Sequence, residues 1–92
     1  MIESIRHRGL RRLYESGDRS GIGSALIPRV EEILSMLDAA ESLEDLKVPG
    51  YRLHPLVGSL KGYWSVRVSG NWRIIFRFDE TSASDVDLVD YH

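Results

Sequence analysis

His7, His54 and His92 are the near-neutral proton carriers of a chain that has no cysteine. Two of them, His54 and His92, bracket a basic segment. From Leu46 through Phe78 there is no Asp or Glu, whereas Lys47, Arg52, Lys61, Arg67, Arg73 and Arg77 are all present. Thiol chemistry is excluded, and a two-metal nuclease needs clustered carboxylates that this segment lacks. Imidazoles beside guanidinium groups fit another reaction. RNA is cut without metal when its 2′-OH attacks the adjacent phosphorus, given a base for the 2′-OH, cations around the phosphorane oxygens and an acid for the departing 5′-oxygen. Asp90 and Tyr91 add a carboxylate that can orient an imidazole and a phenol that can stack on a base or donate a proton. Taken singly, each histidine also has a plain reading: His54 precedes a proline and can be an ordinary strand residue, and His92 is terminal.

These groups need a platform, and the stretch from Tyr63 to Phe78 supplies one. It reads as two strands joined across Ser69-Gly70-Asn71, residues that tolerate positive φ. Side chains alternate faces along a strand. One set is Trp64, Val66 and Val68 with Trp72, Ile74, Phe76 and Phe78, an apolar face that must be buried. The other is Tyr63, Ser65 and Arg67 with Arg73, Ile75 and Arg77, which puts three guanidinium groups on the opposite face. Upstream, Arg52 and His54 alternate with Tyr51 and Leu53. The chain as a whole carries a net charge of −2, so its positive charge is local. One reading is a polyanion docking on the basic face; the other is that the arginines are solvated and keep an exposed sheet from aggregating.

The remaining elements follow in order. Met1 to Arg6 fits a short strand. Leu10, Leu13 and Tyr14 form a helical stripe, with Gly17 as its stop. Asp18 to Ser24 reads as a polar, Gly-rich linker; its G-x-G is rejected as a phosphate loop because the Walker lysine and a preceding apolar strand are missing. Leu26, Val30, Ile33, Leu34, Leu37 and Ala40 mark a long helix with Pro28 in its first turn. Glu31, Glu32, Asp38 and Glu41 fall largely on its other side. Glu31 and Glu32 diverge by about 100° and have no histidine within a turn, so a solvated acidic face is expected rather than a metal pair. Ser42 to Gly50 reads as a helical turn and stop, Asp79 to Asp85 as a hairpin loop, and Val86 to Tyr91 as a last strand. Strand, helix, helix and a run of strands imply an α+β fold, an antiparallel-rich sheet with both helices packed on one face. The Trp64/Trp72 face would lie against the long helix, leaving the Arg67/Arg73/Arg77 face as an open, shallow floor.

Ninety-two residues, 42% hydrophobic and 28% charged, make one small globular domain over residues 1–92. The lack of cysteine fits a cytoplasmic protein. No apolar run approaches the ~18 residues of a membrane span, and the charged N-terminal stretch does not read as a secretory signal.

The ordered set YRLHPL, GYWSVRV, NWRIIFRF and VDYH, with Gly9-Leu10, Leu13, Glu15 and Gly17 upstream, resembles the HigB group of bacterial toxins within the RelE/ParE superfamily, and the likeness spans nearly the whole chain. The resemblance implies a RelE-like small domain and a metal-independent endoribonuclease, with no cofactor, that cuts mRNA on the translating ribosome. By motif position it assigns catalytic roles to His54, Arg73, Asp90, Tyr91 and His92. Arg52, Lys61, Arg67 and Arg77 are the expected RNA-binding cations, Arg67 by strand parity. Relatives often carry a lysine in the loop after HPL, where this chain has Val57; Lys61 and Arg67 are the cations available to compensate. The resemblance also implies a cognate helix-turn-helix antitoxin of the HigA kind, with operator DNA bound only through it. Two alternatives share the fold: a ParE-like gyrase poison and a non-catalytic RNA-binding module. The His54 and Asp90-Tyr91-His92 set separates them, because binding alone does not require it.

Overall fold

Gly17 ends the first helix as its position suggests. In the computed structural model, which describes residues 1–91, α1 spans Arg8–Ser16 and Gly17 adopts the left-handed conformation, φ 74°, that lets its amide reach the carbonyls of Arg12 and Leu13. His7 caps the other end, its Nδ1 accepting from the Leu10 amide at 3.1 Å. That contact gives His7 a structural role.

The Asp18 to Ser24 segment is more than a linker. Ile22 is buried in the core, and Gly9 and Gly21 pack backbone to backbone, so closely that a Cβ on Gly9 would sit 2.4 Å from the Gly21 carbonyl oxygen. A 3₁₀ turn over Ser24–Leu26 leads into α2, Ile27–Ala39, with Pro28 in its first turn as expected. Val30, Ile33, Leu34 and Leu37 of α2 are buried. The acidic side of α2 is not simply solvated: Arg19 forks onto Glu31 at 3.0 Å, Tyr51 Oη donates to Glu32 at 3.0 Å, and Asp38 accepts from Tyr14 Oη at 2.7 Å and from the Ile2 amide at 3.2 Å. These carboxylates tie α2 to α1, the N-terminal segment and the approach to the sheet.

Among the described residues the sheet has four antiparallel strands in the order β1-β2-β3-β4: His54–Pro55, Trp64–Ser69, Trp72–Asp79 and Ser82–Asp90. The Met1 to Arg6 stretch lies parallel to β4 but pairs only at isolated bridges, Ile2 with Ala83 and Ile5 with Val86. The expected loop from Asp79 to Asp85 is corrected to a tight turn at Glu80 and Thr81, Glu80 taking φ 55°. Polar residues hid the strand there, but Ala83 between them is fully buried against the N-terminal segment. The ladder shifts by one residue between Ile75 and Arg77, where Asp85 takes φ 50° in a bulge on β4.

Both helices cover one face of the sheet. Val66, Val68, Ile74, Phe76, Val86 and Leu88 share a core with Leu10, Leu13 and the α2 stripe. Trp64 and Phe78 pack at its margin, whereas Trp72, expected inside, is 37% exposed at the sheet end. The opposite face is not wholly open. A second cluster of Leu56, Tyr63 and Ile75 is buried there with Leu60 and Val89 packed against it, and Ser65 is buried too. The segment from Leu56 to Tyr63, including a 3₁₀ turn over Gly58–Leu60, folds back over this side of the sheet. Alternation gave the correct face but not the covering loop.

Candidate active site on the basic sheet face

Strand register sorts the expected site residues by face. His54 pairs with Ser65, Ser65 with Ile75 and Ile75 with Asp87; the adjacent row is Arg67, Arg73 and Val89. Directly opposed residues share a face, so His54, Arg67 and Arg73 stand on the side away from the helices. Tyr91, two residues beyond Val89, continues that parity. Its amide donates to the Asn71 carbonyl at 2.7 Å, which holds it beside the β2–β3 turn with 46% of its surface exposed. Asp90 pairs with Trp72, in the alternation that carries Leu88 toward the helices, so it starts from the other side of the sheet to Arg73. His92 lies outside the described residues.

Local sequence fixes each group. His54 is exposed, and its Nδ1 is 2.9 Å from the Arg52 carbonyl oxygen. Pro55 after it favours the extended backbone that β1 needs. Arg73 donates from Nη1 to the carbonyls of Gly70 at 2.7 Å and Trp72 at 3.1 Å. A guanidinium has five N–H donors, so the turn holds the head of Arg73 through one nitrogen and presents the rest. Arg67 faces it across the ladder.

Arg77 is not brought to this group. Beyond Ile75, its guanidinium lies over the Tyr63 ring at 4.7 Å, and its Nε is 3.5 Å from Asp85 Oδ2. Arg6, which sequence reasoning did not single out, donates to Tyr63 Oη at 3.3 Å. That bond, the charge the phenol can carry, and Asp87 and Asp85 hold the Arg6 pKa above its usual value. Arg6 and Tyr63 are 57 positions apart, and no local pattern signals the contact. β4 therefore brings Asp85 and Asp87 to a face that looked purely basic within its acid-free stretch. Arg52 and Lys61 are exposed, and Val57 is 84% exposed, so a side chain at position 57 projects from the covering loop.

Two helices on one face of an antiparallel sheet, with cations and an imidazole on the other, define the RelE class of toxin fold. Solved structures agree: a histidine-to-glutamine variant of YafQ from E. coli superposes with a TM-score of 0.65 at 19% identity, over 98% of this chain and 91% of that one. A YoeB/ParE toxin from Agrobacterium tumefaciens gives 0.58 at 12% identity, over 100% and 99%. These likenesses establish the fold. Sequence then gives the family: a family model described as the RelE-like toxin of type II toxin-antitoxin system HigB matches residues 3–92, and the chain belongs to that HigB-like family. It is 40% identical to the protein named Endoribonuclease HigB from Proteus vulgaris over the whole of both chains. It is 36% identical to Toxin HigB-1 from Vibrio cholerae, over 85% of this chain and 84% of that protein. Membership in a type II system implies a cognate antitoxin. No described helix is long and apolar enough to cross a membrane.

Proposed function

We propose that this chain is the endoribonuclease toxin of its type II pair, cleaving mRNA held on the translating ribosome by a metal-independent attack of the 2′-OH on the adjacent phosphorus. The observation that carries the reading is the register that sets His54, Arg67 and Arg73 on one sheet face, with Tyr91 following in the same parity. The full-length relative from Proteus vulgaris, named an endoribonuclease, supports the same activity. His54 takes the proton from the 2′-OH, Arg73 meets the charge that builds on the phosphorane, and Arg67 holds a flanking phosphate. Tyr91 and His92 are the candidates for protonating the 5′-oxygen, and Asp90 for orienting an imidazole. Arg52 and Lys61 guide the RNA backbone onto the face, and Lys61 stands in for the lysine that relatives often carry where this chain has Val57.

The exposure of the site supports ribosome dependence. His54 and Tyr91 stand on an open surface, and alignment of a 2′-OH in line with its scissile bond is favoured when the strand is held in place. A ribosome-bound message gains that hold through rRNA. The antitoxin in this reading is a helix-turn-helix protein that supplies operator DNA binding, and the pair resides in the cytoplasm.

The test is induction without antitoxin, followed by mapping and end-group analysis of mRNA. Cuts bearing a 5′-hydroxyl and a 2′,3′-cyclic phosphate, with little cutting of naked RNA, are expected. Topoisomerase-linked DNA breaks with intact mRNA would replace this reading with gyrase poisoning, and RNA binding without cuts would leave only a binding module.

A further inference from the structure

Arg52 has the left-handed backbone conformation, φ 53°, that L side chains rarely adopt. Its guanidinium does not account for this geometry, since the side chain is exposed. Its carbonyl does, because the oxygen lies 2.9 Å from His54 Nδ1. A carbonyl oxygen only accepts, so Nδ1 carries the hydrogen in that contact, and the lone pair of the neutral ring sits on Nε2. The turn is held on both sides. Before it, the Arg67 amide donates to the Tyr51 carbonyl at 2.7 Å, and Arg29 stacks on the Tyr51 ring at 4.0 Å while donating to the Gly50 carbonyl at 2.8 Å. After it, Pro55 restricts His54 to extended backbone. An uncommon conformation persists where its surroundings over-determine it.

We propose that Arg52 is a positioning residue for the cleavage reaction, acting through its backbone: its left-handed conformation aims a carbonyl that fixes the His54 tautomer, so that Nε2 is the atom that accepts the 2′-OH proton. The proposal rests on the reading of His54 as the general base. It separates two contributions of one residue. The guanidinium contributes to holding RNA and affects KM; the backbone sets the base and affects kcat.

Substitutions at position 52 separate the two. Glycine and asparagine tolerate positive φ, whereas a β-branched residue does not. Arg52→Gly and Arg52→Asn are expected to keep kcat near wild type in single-turnover cleavage on programmed ribosomes while raising KM. Arg52→Val is expected to lower kcat about 10–100-fold, by analogy with the loss of the partner that orients a metal-bound histidine. Nitrogen-15 chemical shifts of the His54 ring provide an independent readout: a protonated Nδ1 in wild type and the Asn variant, and a mixed tautomer in the Val variant. Thermal melts confirm folding; should Arg52→Val fail to fold, Arg52→Ala replaces it. Equal kcat for the Gly and Val variants, or an unprotonated Nδ1 in neutral wild-type His54, overturns the proposal. His54→Ala is run alongside. If it cuts at the wild-type rate, the general-base reading falls and this proposal with it; if it is inactive while Val matches Gly, only the proposal falls.

Discussion

Arg67 and Arg73 are direct partners across the β2–β3 ladder. Two like charges in that position repel, and a pair of this kind destabilises a hairpin by about 0.2–1 kcal/mol relative to neutral residues. A sheet that needed only solubility could place these charges apart. In the proposed function, the opposed guanidiniums serve an anion that neutralises both. Arg67→Thr is therefore expected to raise the melting temperature slightly while raising KM for message on the ribosome. A variant that is both less stable and fully active would contradict the idea that this pair is kept for a phosphate.

Arg77 has a different role. Its guanidinium lies over Tyr63 and pairs with Asp85, both at the far end of the face. Arg77→Ala is expected to leave kcat nearly unchanged, to make cleavage more salt-sensitive, and to cost no more than about 0–1 kcal/mol of stability, the usual worth of an exposed pair. A large fall in kcat at saturating substrate would place Arg77 in the chemistry.

Much of this arrangement was legible in the sequence. Period-two alternation gave the faces of β2 and β3, and the three-and-four spacing gave the buried stripe of α2. The Arg52/His54 and Tyr51/Leu53 split matches burial, but the extended strand expected there begins only at His54, because Arg52 sits in a left-handed turn. What escaped were effects of residues far apart in the chain. Ala83 is the only apolar residue between Asp79 and Asp85, and what makes a strand of this polar stretch is its pairing with Ile2 at the other end of the chain. Leu56 and Tyr63 close over Ile75 only once the covering loop folds back. Arg77 keeps the parity of Arg73 along β3, but beyond Ile75 it is taken up by Tyr63 and Asp85, partners that no local pattern in β3 reveals.

The alkaline limit of stability is set partly by two phenols. Burial, then the hydrogen bond to Glu32, raises the Tyr51 pKa above its ordinary 10.0, and the bond to Asp38 chiefly raises that of Tyr14. A group whose pKa is raised on folding stabilises the fold fully below its unfolded value, and that contribution is lost as pH rises through the folded value. Melting temperature should fall as pH climbs above about 10, and the decline should be shallower in Tyr51→Phe. An unchanged slope in that variant would show that Tyr51 does not couple to folding.

Chelation tests the metal-free chemistry. After the toxin is bound to programmed ribosomes, a brief EDTA pulse should leave the cleavage rate unchanged, with sedimentation confirming intact ribosomes. Loss of cutting on ribosomes that remain assembled would require a metal in the reaction.

The division of labour between the opposed arginines is tested most directly by single-turnover cleavage of mRNA on programmed ribosomes, with toxin saturating and circular dichroism confirming the fold of each variant. Arg73, held by the Gly70 and Trp72 carbonyls, is assigned the transition-state charge. Arg73→Ala should therefore lower the saturated rate by something on the order of 10²–10³, as for a lost oxyanion donor, while still binding ribosomes. Arg67→Ala should recover most of the wild-type rate at saturation. If Arg73→Ala cuts at the wild-type rate once saturated, Arg73 is only a phosphate clamp and its assignment to the transition-state charge is wrong.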